Sequence, residues 1–162
     1  MTGVANHHFF QKNLRKKFAE SKKEGGALAV AMLDLDDFKM VNDSHGHQIG
    51  DEVLKNVARI LRENVGKNGL IARYGGEEFV ILFDEKFSRP ANLKKFLDGL
   101  RRKIETEKTI CGRKKIRITA SFGAALLPNP KIATPKNFVA AADRAMYCAK
   151  AAGKNCCRVA EI

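Results

Sequence analysis

The chain has 162 residues, the size of one ordinary globular domain, and can bury roughly two thirds of its unfolded surface around one core. Thirty Lys and Arg against eighteen Asp and Glu give a formal charge of +12, which suits anionic ligands or, equally, a lysine-rich solvated surface. No Trp, two Tyr and no basic stripe interleaved with aromatics argue against nucleic acid; the absence of a signal-peptide core or an apolar run of about 18 residues argues against membrane insertion.

Phe10, Leu14 and Phe18 recur at helical spacing behind Asn6, a candidate cap, and predict a helix to about Lys23 that Gly25-Gly26 breaks. Residues 27–35, ALAVAMLDL, form a nearly continuous apolar run of strand length, as in a central strand covered on both faces. Gly50-Asp51-Glu52 opens the clearest helix, striped by Val53, Leu54, Val57, Leu61 and Val65. A hairpin follows, Leu70–Tyr74 and Glu77–Phe83, around Gly75-Gly76, a pair that suits a tight turn with positive φ.

After Pro90, Leu93, Leu97, Leu100 and Ile104 mark a helix with Asn92 or a neighbour at its start. Ile116, Ile118 and Ala120 alternate with Arg117, Thr119 and Ser121, a strand pattern. Phe138, Ala142, Ala145 and Ala149 stripe a last helix ending at Gly153, and 157–160 suits a short final strand. Helices and strands interleave without strict repetition, so a mixed sheet with helices packed on it is the economical architecture. Cys111, Cys148, Cys156 and Cys157 have no metal-ligand spacing and read as reduced thiols.

Asp34, Asp36 and Asp37 stand at the end of the buried strand, where uncompensated carboxylates invite a cation. Alternation puts Asp34 and Asp36 on one face. If the hairpin neighbours this strand, Glu77 and Glu78 bring further carboxylates, an arrangement that holds Mg²⁺ with positions open for phosphates. The plainer readings are a turn at 34–37 and a charged strand edge at 77–78. Asn42 and Asp51 have the chemistry to read a guanine edge, and Asp51 equally suits a helix cap. His45 and His47 are turn residues or phosphate donors.

Assembled, these residues resemble the GGDEF family of diguanylate cyclases along essentially the whole chain. The motifs are GGEEF at 75–79 after Arg73-Tyr74, DLDDFKMVND at 34–43, GHQIGD at 46–51, ADRAMYCAKAAGKN at 142–155, and the opening MTGVANHHFF. The resemblance implies an α/β (α+β) palm-like nucleotidyl cyclase fold, a central five-stranded mixed sheet surrounded by helices with a signature hairpin. It implies a single domain over 1–162, expected to be the catalytic part of a longer cytoplasmic or membrane-anchored signalling protein whose N-terminal regulatory domain is missing. The implied reaction joins two GTP into cyclic di-GMP with release of two pyrophosphates, across a homodimer, the isolated domain being expected to be monomeric at modest concentration.

The implied cofactor is Mg²⁺, two ions per site, with Mn²⁺ as a substitute. Carried over residue by residue, Asp34, Glu77 and the Leu35 carbonyl hold metal, and Glu77 activates the attacking hydroxyl. Glu78 joins the catalytic set although simple alternation sends it to the face opposite Glu77. Lys39 and the amides near Phe38 meet phosphates; Asn42 and Asp51 read the base with His47 nearby; Lys150 and Lys154 meet the triphosphate, Lys154 standing where Arg is typical. Gly66 and Gly69 replace an Arg-x-x-Asp product-inhibition motif, so feedback through that site is expected to be absent. The alternatives are a GTP-binding regulatory module without chemistry and a cyclase for another cyclic dinucleotide.

Overall fold

Helix α1 (His7–Glu24) starts where the Asn6 side chain accepts a hydrogen bond from the Phe9 amide at 2.8 Å, and stops at Gly25, whose φ of 70° glycine adopts without strain. The computed structural model describes residues 2–83, 87 and 89–161; Met1, the first residue of the opening motif, lies outside them. Strand β1 (Leu28–Leu35) follows and is buried almost throughout, as its apolar run predicts. Helices α2 (Phe38–His45) and α3 (His47–Val65) then form an angled pair broken at Gly46, φ 84°.

The segment 38–45 is a helix of its own, and α3 begins at His47, three residues before the expected start at Gly50, because the Gly46 carbonyl accepts from both the Ile49 and Gly50 amides. Asp51 therefore sits inside the helix, and its reading as a cap fails.

Strands β2 (Gly69–Arg73) and β3 (Glu78–Phe83) make the expected hairpin. Its glycines have a different reason from the one expected, since neither Gly75 nor Gly76 has a positive φ. A β-carbon on Gly75 would collide with the Glu78 carboxylate, so the missing side chain makes room for an acid. Helix α4 (Pro90–Thr106) has Pro in its first turn and Arg89, not Asn92, at the cap position.

The strand expected across 116–121 is two elements. A small ribbon, β4 (Thr109–Cys111) with β5 (Lys114–Ile116), ends at Ile116, and β6 (Ala120–Leu127) begins after a break at 117–119. The break exists because Thr119 turns to Asp36: its carbonyl accepts from the Asp36 amide at 2.9 Å and its hydroxyl donates to Asp36 Oδ2 at 2.7 Å. Helix α5 (Pro135–Ala151), capped by Thr134, and β7 (Cys157–Val159) complete the chain.

The main sheet runs β2-β3-β1-β6-β7, antiparallel except for the β6/β7 pair. One face packs on α3 and α4 through residues such as Leu33, Phe79, Phe122, Val57 and Leu97. The other packs on α1 and α5 through Phe10, Phe18, Val30, Val80, Phe138 and Met146. Each such fully buried aliphatic or aromatic side chain contributes about 1.5–3 kcal/mol. At Gly123 of β6 the α5 backbone comes so close that a β-carbon would strike the Met146 amide and the Ala142 carbonyl. That approach sets the height of α5 over the sheet, and with it the position of Lys150 near the helix end.

Candidate active site at the carboxyl end of the central strand

Alternation along β1 sends Leu28, Val30 and Met32 to the α1/α5 face, and Asp34 continues that row at the strand end. In the β1/β3 register Asp34 stands opposite Glu78, so the two carboxylates share a face. Glu77 lies one residue earlier, in the turn, where strand alternation does not apply, and its carbonyl accepts from the Leu35 amide at 3.4 Å. The Leu35 carbonyl projects toward the same neighbour, because a strand residue aims both its polar groups one way.

From α5, 116 residues on in the chain, the Lys150 ammonium donates to Asp34 Oδ1 at 2.6 Å. Asp34 is 14 % exposed and Lys150 30 %, so the pair is only partly solvated. Three carboxylates and one ammonium leave a deficit of positive charge. Burial and then the Asp34 charge raise the Glu77 carboxyl above the ordinary range, with Lys150 opposing and Glu78 adding. Glu78 is raised by burial, by Asp34 and by Asp143 of α5, again against Lys150.

This donor set fits a hard divalent cation: oxygen ligands only, excess negative charge, and a seat on Asp34 that an ammonium already occupies. Among the described residues no three His, Cys, Asp or Glu side chains form a ready ligand cluster. Two side chains and a carbonyl leave coordination positions for substrate oxygens, as Mg²⁺ sites for phosphates do. The Arg73 guanidinium holds the turn from below, donating to the Gly75 and Gly76 carbonyls, the shortest contact being 2.5 Å to Gly76. Tyr74, edge-on to His7, lines with Met32 and Asp143 a cleft of about 560 Å³ beneath it; burial, Asp143 and Glu78 all raise its hydroxyl pKa.

Asp36 does not belong to this group. It is 5 % exposed and receives hydrogen bonds from Ser121 Oγ and Thr119 Oγ1, both at 2.7 Å, and from the Asn155 amide at 3.0 Å. The shared face expected for Asp34 and Asp36 does not carry Asp36 into the site, because β1 ends at Leu35 and Asp36 is engaged by the scaffold. Around this knot Asp37, Lys154 and Asn155 all adopt positive φ, and Lys154 Nζ donates to Asp37 Oδ1 at 2.6 Å on the surface. The Asn155 amide group donates to Glu105 Oε1, tying the loop to α4.

The remaining candidates lie on α2 and α3. Phe38 is buried at the first position of α2, whose opening amides have no intrahelical acceptor and face the region just past Asp37. Lys39, 82 % exposed, pairs with Asp43 at 2.7 Å rather than with any carboxylate of the site. The Asn42 side chain lies against Gly50 where a β-carbon would collide with it, which brings Asn42 beside the turn of α3 that carries Asp51. Asp51 and His47 are exposed. Gly66 ends α3 with φ 53°, and a β-carbon on Gly69 would stand 2.8 Å from the Leu82 carbonyl. The sequence assigns no role in the site to Asp143 or Gly123; Arg73 and Gly50 enter it only as parts of motifs and as a helix start.

The family described as "Diguanylate cyclase, GGDEF domain" matches residues 1–156. The chain belongs to the GGDEF family. This GGDEF domain is 36 % identical over 155 residues to the bifunctional diguanylate cyclase/cyclic di-GMP phosphodiesterase MucR of Pseudomonas aeruginosa, covering 96 % of the chain and 22 % of MucR. It is 30 % identical over 156 residues to diguanylate cyclase DgcS of Shewanella oneidensis, covering 96 % of the chain and 50 % of DgcS. It thus spans half or less of these relatives. The GGDEF domain of DgcB from Caulobacter crescentus, solved in complex with c-di-GMP, superposes with a TM-score of 0.91 at 30 % identity, over 99 % of this chain and 91 % of that one. The mixed five-stranded sheet with its helices is the nucleotidyl cyclase-like fold of that family.

Proposed function

We propose that this GGDEF domain is a cytoplasmic diguanylate cyclase that joins two GTP into cyclic di-GMP, each 3′-oxygen displacing pyrophosphate from the other nucleotide's α-phosphorus. The observation that carries the reading is Asp34 facing Glu78 across the β1/β3 register, with Glu77 in the adjoining turn and one lysine among three acids. A divalent cation balances that charge pattern, and phosphate oxygens complete its coordination. Asp34, Glu77 and the Leu35 carbonyl are the groups that hold Mg²⁺, or Mn²⁺ in its place. Bound metal neutralises phosphate oxygens and makes a nearby hydroxyl more acidic.

The protein's own groups do the rest. Glu77, whose raised proton affinity makes it a stronger base than an exposed glutamate, takes the 3′-hydroxyl proton, and Glu78 holds the hairpin's charge against Asp34. Lys150 and Lys154 exchange their carboxylate partners, Asp34 and Asp37, for phosphate oxygens when nucleotide binds. The first amides of α2, at Phe38 and Lys39, receive phosphate charge, and Lys39 swings from Asp43 to join them. Asn42 and Asp51 take the guanine edge, with His47 at its margin.

One chain holds one nucleotide, so two copies must face each other for the double displacement. The absence of Arg and Asp at 66 and 69 leaves no product brake at that position. Incubating the protein with GTP and Mg²⁺ and resolving the nucleotides tests the proposal. Cyclic di-GMP forms with the native chain and not with Glu77→Gln; a native chain that retains GTP unchanged overturns it.

A further inference from the structure

The β4–β5 ribbon stands apart from the main sheet and is built one-sidedly. Thr109 and Ile116, paired across it, are both buried, and Asn56 of α3 donates to the Thr109 hydroxyl at 3.1 Å, which fixes the inner face. The outer face therefore carries the alternate residues, Ile110 opposite Lys115. Ile110 is 61 % exposed, one of four large apolar side chains so placed among the described residues. Alternation puts Lys108 on the same side as Ile110, while Arg113 and Lys114 stand at the ribbon's turn and Arg117 just past its end, all exposed.

Some exposed helix bases are matched one turn away, as in Lys16 with Glu20, Lys55 with Glu52, Arg59 with Glu63 and Lys94 with Asp98, whereas the ribbon contains no acid of its own. Between Glu107 and Asp143 the sequence has no acid at all, and Glu107 itself is engaged by Arg59. None of the ribbon's five bases makes an ion pair among the described residues. The ribbon thus presents a run of bases and an exposed apolar side chain at the same place.

We propose that the outer face of the β4–β5 ribbon docks on an anionic lipid bilayer. Ile110 enters the headgroup boundary while the surrounding Lys and Arg reach the lipid phosphates with their long side chains lying flat. Single-stranded nucleic acid fits the face less well, because residues 108–117 contain no aromatic side chain for bases to stack on. The contact is peripheral, since no helix among the described residues is long and apolar enough to cross a membrane. Each base near such a surface strengthens binding about fivefold, so replacing three lowers it on the order of a hundredfold.

The test is co-sedimentation of the full chain with vesicles of phosphatidylcholine, alone or with about a third phosphatidylglycerol. The native protein pellets with the anionic vesicles, less so as salt rises, and stays in solution with neutral ones. Arg113→Glu/Lys114→Glu/Lys115→Glu together lose on the order of a hundredfold in partitioning, and Ile110→Ser loses several-fold at unchanged charge. Lys115→Gln alone, a milder change, loses about fivefold and keeps the result readable should the triple variant not fold. An α1 control of equal charge, Lys12→Glu/Lys16→Glu/Lys23→Glu, keeps at least a tenth of native binding, and cyclase activity in solution is the same for the ribbon variants as for the native chain. The proposal is overturned by no preference for anionic vesicles, by equal losses in ribbon and α1 variants, by an unaffected Ile110→Ser, or by tighter capture on polyglutamate or DNA than on vesicles.

Discussion

Asp34 and Asp36 stand two residues apart and have opposite fates. Asp36 is buried and well supplied: two hydroxyls and a backbone amide donate to it, and both of its oxygens are engaged by the scaffold. Asp34 is almost as enclosed but receives one lysine, beside two glutamates whose carboxyls are raised first by burial and then by the Asp34 charge. The first carboxylate stabilises the fold; the second leaves an imbalance that the fold tolerates. Unbalanced charge held in place by well-satisfied neighbours is what marks the site, rather than acidity as such.

Replacing each acid breaks the comparison on a different axis. Asp34→Asn lowers cyclic di-GMP production on the order of a thousandfold, because the ion that meets the phosphates loses a carboxylate ligand, while the unfolding free energy stays within about 1 kcal/mol of native. Denaturant unfolding alongside the product assay checks both halves. Asp36→Ala does the reverse in emphasis, leaving one buried and two half-buried donors without their acceptor and lowering stability by about 3 kcal/mol, read from the urea midpoint.

Gly123→Ala sharpens the comparison from a distance. Its added carbon pushes α5 off β6, at about 1–3 kcal/mol of stability, and carries Lys150 away from Asp34. Product formation then falls about tenfold or more although no group touching substrate has changed.

The smallest effect is in pH. Glu77 and Glu78 have raised pKa values in the folded chain, so their contribution to stability is full below the ordinary carboxylate range and is lost as pH rises through the raised values. At neutral pH they destabilise. Glu77→Gln/Glu78→Gln therefore has a slightly higher Tm than the native protein at neutral pH, and the difference shrinks toward about pH 4. Glu105, held down by Asn155 and Arg101, titrates with the opposite sign in both proteins and drops out of the difference.

Much of this frame is legible before any coordinates. The stripes of α1, α4 and α5, the apolar run of β1 and the glycine-centred hairpin follow from periodicity because one face of each is buried. Helix α2 is not, since Asn42, Asp43 and Ser44 are weak helix formers and the helix is held by Phe38 packing and by Asn42 lying against Gly50. Strand β6 hides because Gly123 and its alanines serve the close approach of α5, and small residues carry little strand signal.

At the site, Asp34 and Glu77 could be matched to family motifs, but the meeting of Lys150 with Asp34 spans 116 residues and has no local trace. Asp36 reads as a ligand in the string and as scaffold in space, because its donors come from β6 and from the loop after α5.

The claim on which the account rests is that Asp34 and Glu77 share one divalent ion with a nucleotide's phosphates. Calorimetric titration of Mg²⁺ into the protein with a non-hydrolysable GTP analogue tests it directly. Binding is expected to weaken at least about a hundredfold in both Asp34→Asn and Glu77→Gln, each removing a charged ligand. Native-like Mg²⁺ affinity in either variant would contradict it.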